Sequence, residues 1–179
     1  MLLASLLFLP ACLASDDPMY SVQDGVTPLE GGHGFHASFA EEPLFMVANV
    51  DGAYNVQRPK KQITQAIATP LPGHENFYTV QVQSEYGSYN YLLVKYTDGG
   101  WFDDDTFSIV TFSYEDILAK YVVDGVDEDG TVQNRRGLEV LFSVALQTGK
   151  YDKTAYDMYD LDDQGDVERY QQVIAGYFN

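Results

Sequence analysis

Between Phe77 and Gln83 the side chains alternate: Tyr78, Val80 and Val82 are interleaved with Thr79, Gln81 and Gln83. A period of two places these sets on opposite faces of a strand, one buried and one wet. Similar segments recur from 35 to 112. PLFMVANV (43–50) is an apolar run that meets Asp51-Gly52, a pair suited to a tight hairpin turn, and AYNVQ returns from it. QITQAIATPL (62–71) carries Ile63, Ala66 and Ile67 at helical spacing. It has no caps and ends in Pro70 and Pro72, so a strand is expected. YNYLLVKY (89–96) turns at Asp98-Gly99-Gly100, and TFSIVTF (106–112) is the last expected strand. FMVANVDGAY and LLVKYTDGGW look alike, but two copies are too few to define a repeat array.

After Phe112 the period changes. Ser113 and Asp116 form a capping-box start, and Ile117, Leu118 and Tyr121 share a helical face that should end near Gly125. LEVLFSVALQTG (138–149) is apolar nearly all round and stops at Gly149, as a buried helix with a glycine C-cap would. TAYDMYDL (154–161) is read as a short helix. VERYQQVIAGYF (167–178) gathers Val167, Tyr170, Val173, Ile174 and Tyr177 on one side of another. Strands followed by helices predict an α+β fold: an antiparallel meander of hairpins with a helical C-terminal portion packed on it. The expected organisation is a single domain over 35–179, mainly β over 35–112 and mainly α over 113–179. It is preceded by a Gly-, Pro- and Asp-rich tether over 12–34.

Composition agrees with a folded chain of one domain. Of 179 residues, 45% are hydrophobic and 14% aromatic, enough for a packed core. The formal charge is -17, from ten Lys and Arg against 27 Asp and Glu. Only Lys60-Lys61 and Arg135-Arg136 pair basic residues, so there is no basic stripe for phosphate backbones and nucleic acid is not an expected partner. The acidity reads first as a solvated surface.

The first residues differ from the rest. MLLASLLFLPA is apolar and too short for a bilayer span, which needs roughly 20 residues, so it reads as a secretory signal over 1–11. No Lys or Arg precedes it. Either the start codon is misassigned, or the amino group alone supplies the charge. It ends at Cys12, the single cysteine. Leu9-Pro10-Ala11-Cys12 resembles a bacterial lipobox, with Pro10 as its unusual member. The resemblance implies cleavage before Cys12 and acylation of its sulfur and new N-terminus. The protein would then be membrane-anchored in the cell envelope, at the outer membrane or on the periplasmic side. Ordinary secretion with cleavage after Ala14 is the competing reading. Either way, the mature chain has no disulfide.

Candidate chemistry is sparse. DLDDQGDVERYQ (160–171) places Asp160, Asp162, Gln164 and Glu168 at EF-hand positions 1, 3, 5 and 9, with Gly165 at the sharp turn. These residues would suit calcium, but Gln171 stands where a bidentate Glu should close the site. An acidic turn between two helices competes with the metal reading. DGVDEDG (124–130) fits the loop pattern worse. His33 and His36, with Glu41, Glu42 or His74, form a second, looser ligand set. Tyr86, Tyr89, Tyr91, Tyr96 and Trp101 offer rings that could stack on sugars, though alternation should bury about half of them. No Gly-x-Ser-x-Gly and no phosphate loop occurs. The expectation is therefore a non-enzymatic, lipid-anchored envelope protein that binds a protein or glycan partner or plays a structural part. A calcium module and a carbohydrate-binding or carbohydrate-active domain are the alternatives.

Overall fold

Alternation of apolar and polar side chains becomes a sheet that curls until its ends meet. The computed structural model describes residues 13–37, 44–48, 51–57, 63–84, 86–99 and 105–178. Nine strands are present among them: β1 (Leu13–Ser15), β2 (Gly32–His36), β3 (Leu44–Ala48), β4 (Tyr54–Gln57), β5 (Thr64–Pro70), β6 (Phe77–Gln83), β7 (Tyr89–Thr97), β8 (Thr106–Thr111) and β9 (Asp152–Asp160). Three helices accompany them: α1 (Tyr114–Leu118), α2 (Arg135–Thr148) and α3 (Gln164–Phe178). All neighbouring strands are antiparallel, and each of β2 to β9 pairs on both sides because β8 bonds to β7 and to β9, and β9 to β2. The result is a closed ring of strands. β1 lies outside that ring, on β7, with Leu13 opposite Tyr91 and Ser15 opposite Tyr89.

The two faces of the strands form two cores. Phe35, Tyr54, Val56, Ala66, Ala68, Val80, Val94, Tyr96 and Phe107 pack inside the ring. Phe35 meets Phe107 there at 4.6 Å between centroids, and Ala66 and Ala68 belong to the same cluster. The outward residues Ile67, Tyr91, Leu93 and Val110 form the second core with α1, α2 and the N-terminal segment. α2 supplies Leu138, Leu141, Phe142 and Ala145, spaced for one helical stripe. Asn134 caps it by accepting from the Gly137 N–H at 2.8 Å, and Gly149 closes it in the left-handed conformation at φ 65°. Val140 is exposed, so α2 covers one face of the barrel and is not enclosed on all sides.

Three expectations need correction. TAYDMYDL is not a helix but the main part of β9. Its true period is two: Thr154, Tyr156 and Met158 turn inward while Ala155 and Asp157 are exposed. Helical spacing was the wrong template, and a charged outer face hid the alternation. The C-terminal portion is therefore mixed, with β9 between α2 and α3. The segment over 12–34 is not a tether from Leu13 onward. Leu13, Tyr20 and Leu29 are buried, and β2 begins at Gly32, so the expected boundary at 34 falls inside a strand. Finally, the Asp160 loop joins a strand to a helix, so it lacks the first helix of an EF-hand.

Buried phenols tie the interior to its ends. The Tyr54 hydroxyl accepts from the Leu29 N–H at 2.9 Å, and Tyr170 of α3 packs where a side chain on Gly34 would strike its ring. Burial pushes the Tyr20, Tyr54 and Tyr170 hydroxyls up from 10.0 to about 12. A raised native value means that the folded state keeps protons the unfolded chain releases. Their contribution is complete below pH 10.0 and is lost as the pH climbs towards about 12. In an alkaline titration followed by phenolate absorbance and circular dichroism, these tyrosines should ionise only as the barrel signal is lost. A single class of tyrosines ionising near 10.0 with the fold intact would contradict the packing.

Candidate binding cleft

Register on the outer face of β5, β6 and β7 builds a row of amides. Gln81 lies opposite Ile67 on one side and Tyr91 on the other. Two residues along, Gln83 lies opposite Tyr89, and Gln65 stands beside them, one step past the Ala66–Val82 pair. The N-terminal segment crosses this face as a wall, and Gln81 fixes it there. The Gln81 Oε1 accepts from the backbone N–H of Met19 at 2.7 Å and of Tyr20 at 3.0 Å, and its Nε2 donates to the Tyr20 carbonyl at 2.9 Å. A side chain only 2% exposed thus replaces the ladder partners that an irregular segment lacks. The hydroxyls of Tyr91 and Ser15 meet at 2.6 Å and hold the segment a few residues earlier.

The far end of the wall is a 3-10 turn over Val22–Asp24. Asp24 accepts from the Ser21 N–H at 2.9 Å and from its hydroxyl at 2.7 Å. These bonds to Ser21, with the Arg135 guanidinium at 2.9 Å, hold the Asp24 carboxyl below the usual range. Arg135 also pairs with Glu139 at 2.7 Å and lies over the Tyr20 ring, 4.8 Å from its centroid. Its charge is therefore occupied. A Cβ on Gly25 would overlap the Gly52 carbonyl, so the chain leaves the turn in close backbone contact with the β3–β4 connection.

Between wall and sheet lies an open cleft of about 280 Å³. Ser21, Gln23, Gln65, Gln81 and Gln83 supply its polar groups, Tyr20, Tyr89, Val22 and Ile67 its rings and aliphatic surface, and no charged residue lines it. Gln23, Gln65 and Gln83 are exposed, and their amides make no side-chain hydrogen bond among the described residues. Each can donate twice and accept twice. The cleft thus offers unspent neutral donors and acceptors beside an aromatic ring.

The residues singled out from sequence lie elsewhere or serve other ends. Cys12, with the whole lipobox, lies outside the described residues, as do Glu41, Glu42 and Trp101. Asp160 accepts from the Asp162 N–H at 2.9 Å, and Asp163 accepts from the Asp166 N–H at 3.0 Å at the start of α3. Asp166 takes the Asp160 N–H at 2.9 Å and pairs with Arg169. Gln164 donates to Glu168 at 3.1 Å, and the Asp162 carboxylate lies against Gly31. These carboxylates cap a strand-to-helix turn. His33 bonds through Nε2 to the Glu30 carbonyl at 2.7 Å, His36 is 3.8 Å from Asp157, and His74 stands edge-on to Phe77. Among the described residues, no three His, Cys, Asp or Glu side chains are grouped to hold a metal ion. Of the tyrosines, Tyr96 faces the interior and Tyr91 lies under the N-terminal segment, while Tyr86 is exposed on a turn and Tyr89 lines the cleft.

Comparison with protein-family models, curated proteins and solved structures gave no match.

Removing the Gln81 amide should release the wall. Gln81→Ala deletes three hydrogen bonds and leaves the Tyr20 backbone groups buried without partners, at a cost of about 2–4 kcal/mol. Chemical denaturation should show that loss, and the Met19 and Tyr20 amides should exchange much faster. Unchanged protection at both amides would mean that Gln81 does not hold the segment.

Proposed function

We propose that this chain is a non-enzymatic, lipid-anchored protein of the bacterial cell envelope, with Cys12 as its anchor and the amide-lined cleft as its recognition surface. The observation that carries the anchor is the placement of β1. Leu13 is 2% exposed, the Ala14 N–H donates to the Gly130 carbonyl at 3.2 Å, and the Ala14 carbonyl accepts from the Val132 N–H at 2.7 Å. Cleavage before Cys12 leaves this strand whole. Cleavage after Ala14 removes two of its three residues, Leu13 among them. Losing the burial of one leucine side chain costs about 1.5–3 kcal/mol, before the lost pairing with β7 is counted. The fold therefore favours the lipoprotein cleavage site over the secretory one.

Anchoring through Cys12 has a geometric consequence. Consecutive Cα atoms are about 3.8 Å apart. A lipidated Cys12 therefore joins its acyl chains to the barrel with no intervening spacer. The domain rests against the headgroups, where its charge of -17 opposes contact with anionic lipid. Several acyl chains are needed to hold it there, since a single chain binds membranes only marginally.

The test is mass spectrometry of the N-terminal peptide from the envelope fraction. The expected result is a chain that begins at Cys12 and carries lipid on sulfur and amine, with Cys12→Ser accumulating unprocessed. An unmodified mature chain that begins at Ser15, or an intact one recovered with its thiol free, would contradict the anchor.

A further inference from the structure

We infer that the cleft between the 18–23 segment and the β5–β6–β7 face takes a neutral saccharide of one or two rings. This inference rests on reading the cleft as the recognition surface and adds the class of ligand. Four observations lead to it.

The first is charge. A chain of net charge -17 presents here a lining without a single ionic side chain. A metal cation would find no carboxylate in the lining. A phosphate or carboxylate would find no free base, because Arg135 is held by Asp24 and Glu139. The surrounding acidic field would also repel it. A ligand that gains most here is uncharged.

The second is hydrogen bonding. Gln23, Gln65 and Gln83 present amides that spend no donor or acceptor on the described protein. A primary amide is planar, with its acceptor and donors side by side. It can accept from one hydroxyl and donate to the next, so it matches adjacent hydroxyls on a sugar ring. A purely apolar ligand would strip water from these amides and return nothing.

The third is the ring beside the amides. Tyr89 is half-buried, packs against the outer core and lines the cleft opposite Gln83. An aromatic face of this kind can pack on the C–H side of a sugar while the phenol stays wet. The volume of about 280 Å³ lies at the lower end of small-molecule sites, sized for one or two rings.

The fourth observation sets aside an extended peptide. β6 is flanked by β5 and β7 through the cleft floor, β7 is flanked there by β6 and β1, and β5 is flanked by β6 on one side and by β4 and then Val26 on the other. No free ladder remains there for an added strand, so a peptide could not dock by backbone pairing.

An open, water-washed site of this kind should bind weakly, with a dissociation constant of about 1 mM. The experiment is a side-chain amide NMR titration of the mature protein in a non-glycosidic detergent. The probes are maltose, cellobiose and N,N′-diacetylchitobiose, with digalacturonate and a blocked trialanine peptide as the charged and peptidic counterparts. At least one neutral disaccharide should shift the Gln65 and Gln83 amide signals. Gln83→Ala should weaken that binding about 3–10-fold, as loss of one or two hydrogen bonds implies. Tyr86→Ala, on the exposed turn, should leave it unchanged. If digalacturonate or the peptide shifts these amides and no neutral disaccharide does, the saccharide assignment is overturned while the recognition surface stands. If no probe shifts them at about 50 mM, well above the expected constant, the saccharide assignment and the cleft reading fall together.

Discussion

Closure of the sheet by β9 is the constraint on which the other features rest. β9 pairs with β2 through His33–Asp160 to His36–Asp157, and with β8 through Phe107–Tyr156 to Thr111–Asp152. Without it, β2 and β8 would each present an open edge, with unpaired backbone groups and a template for aggregation. With it, the inward side chains have only one place to go, and the outward ones are held in fixed rows. The cleft floor is one such row. Its amides lie side by side because the register of β5, β6 and β7 cannot slip without turning their apolar side chains outward.

The N-terminal segment then depends on that fixed surface. It carries Asp16, Asp17, Pro18 and Gly25, poor material for regular structure, and it makes few backbone ladder bonds after Ser15. Side chains replace them: Gln81 for Met19 and Tyr20, Tyr91 for Ser15, and Asp24 with Arg135 at the turn. A wall made this way follows the sheet in position, buries Leu13 and Tyr20 and leaves Ser21 and Gln23 exposed. The cleft therefore combines a floor that carries Gln65 and Gln83 with a polar rim at Ser21 and Gln23. The same attachment brings Leu13 into the core.

Much of the strand pattern was legible in the sequence, and the reasons differ by element. β6 is legible from its alternation, but the face expected to be wet is not: Thr79 is 1% and Gln81 2% exposed, and both faces of β6 and β7 meet buried neighbours, with only Gln83 at the end of the row exposed. α2 was legible from its apolar spacing and from Gly149. β9 was not, because Thr154-Ala155-Tyr156-Asp157 also fits a helical turn, and its pairing with β2 is a contact across most of the chain. The N-terminal segment resembled a tether because its composition is that of a loop. What holds it is a glutamine 61 residues from Tyr20, a partner that no local pattern reveals. The cleft was missed for the same reason. Gln83 reads as a wet position of its strand, Gln65 carries no signal of its own, and only the register makes them neighbours. Tyr89 was the one cleft residue singled out beforehand for binding, within a group of rings that the fold distributes among interior, turn and cleft.

Native-state hydrogen exchange along Lys153–Asp160 tests the closed barrel most directly. β9 amides bonded to β2 and β8 should open with the same free energy as those of Thr79–Val82 in β6, since a ring has no weak edge and should unfold as one unit. Exchange of β9 at the rate of a frayed edge, with β6 still protected, would mean that the sheet is open. The fixed outer rows from which the cleft is built would then lose their cause.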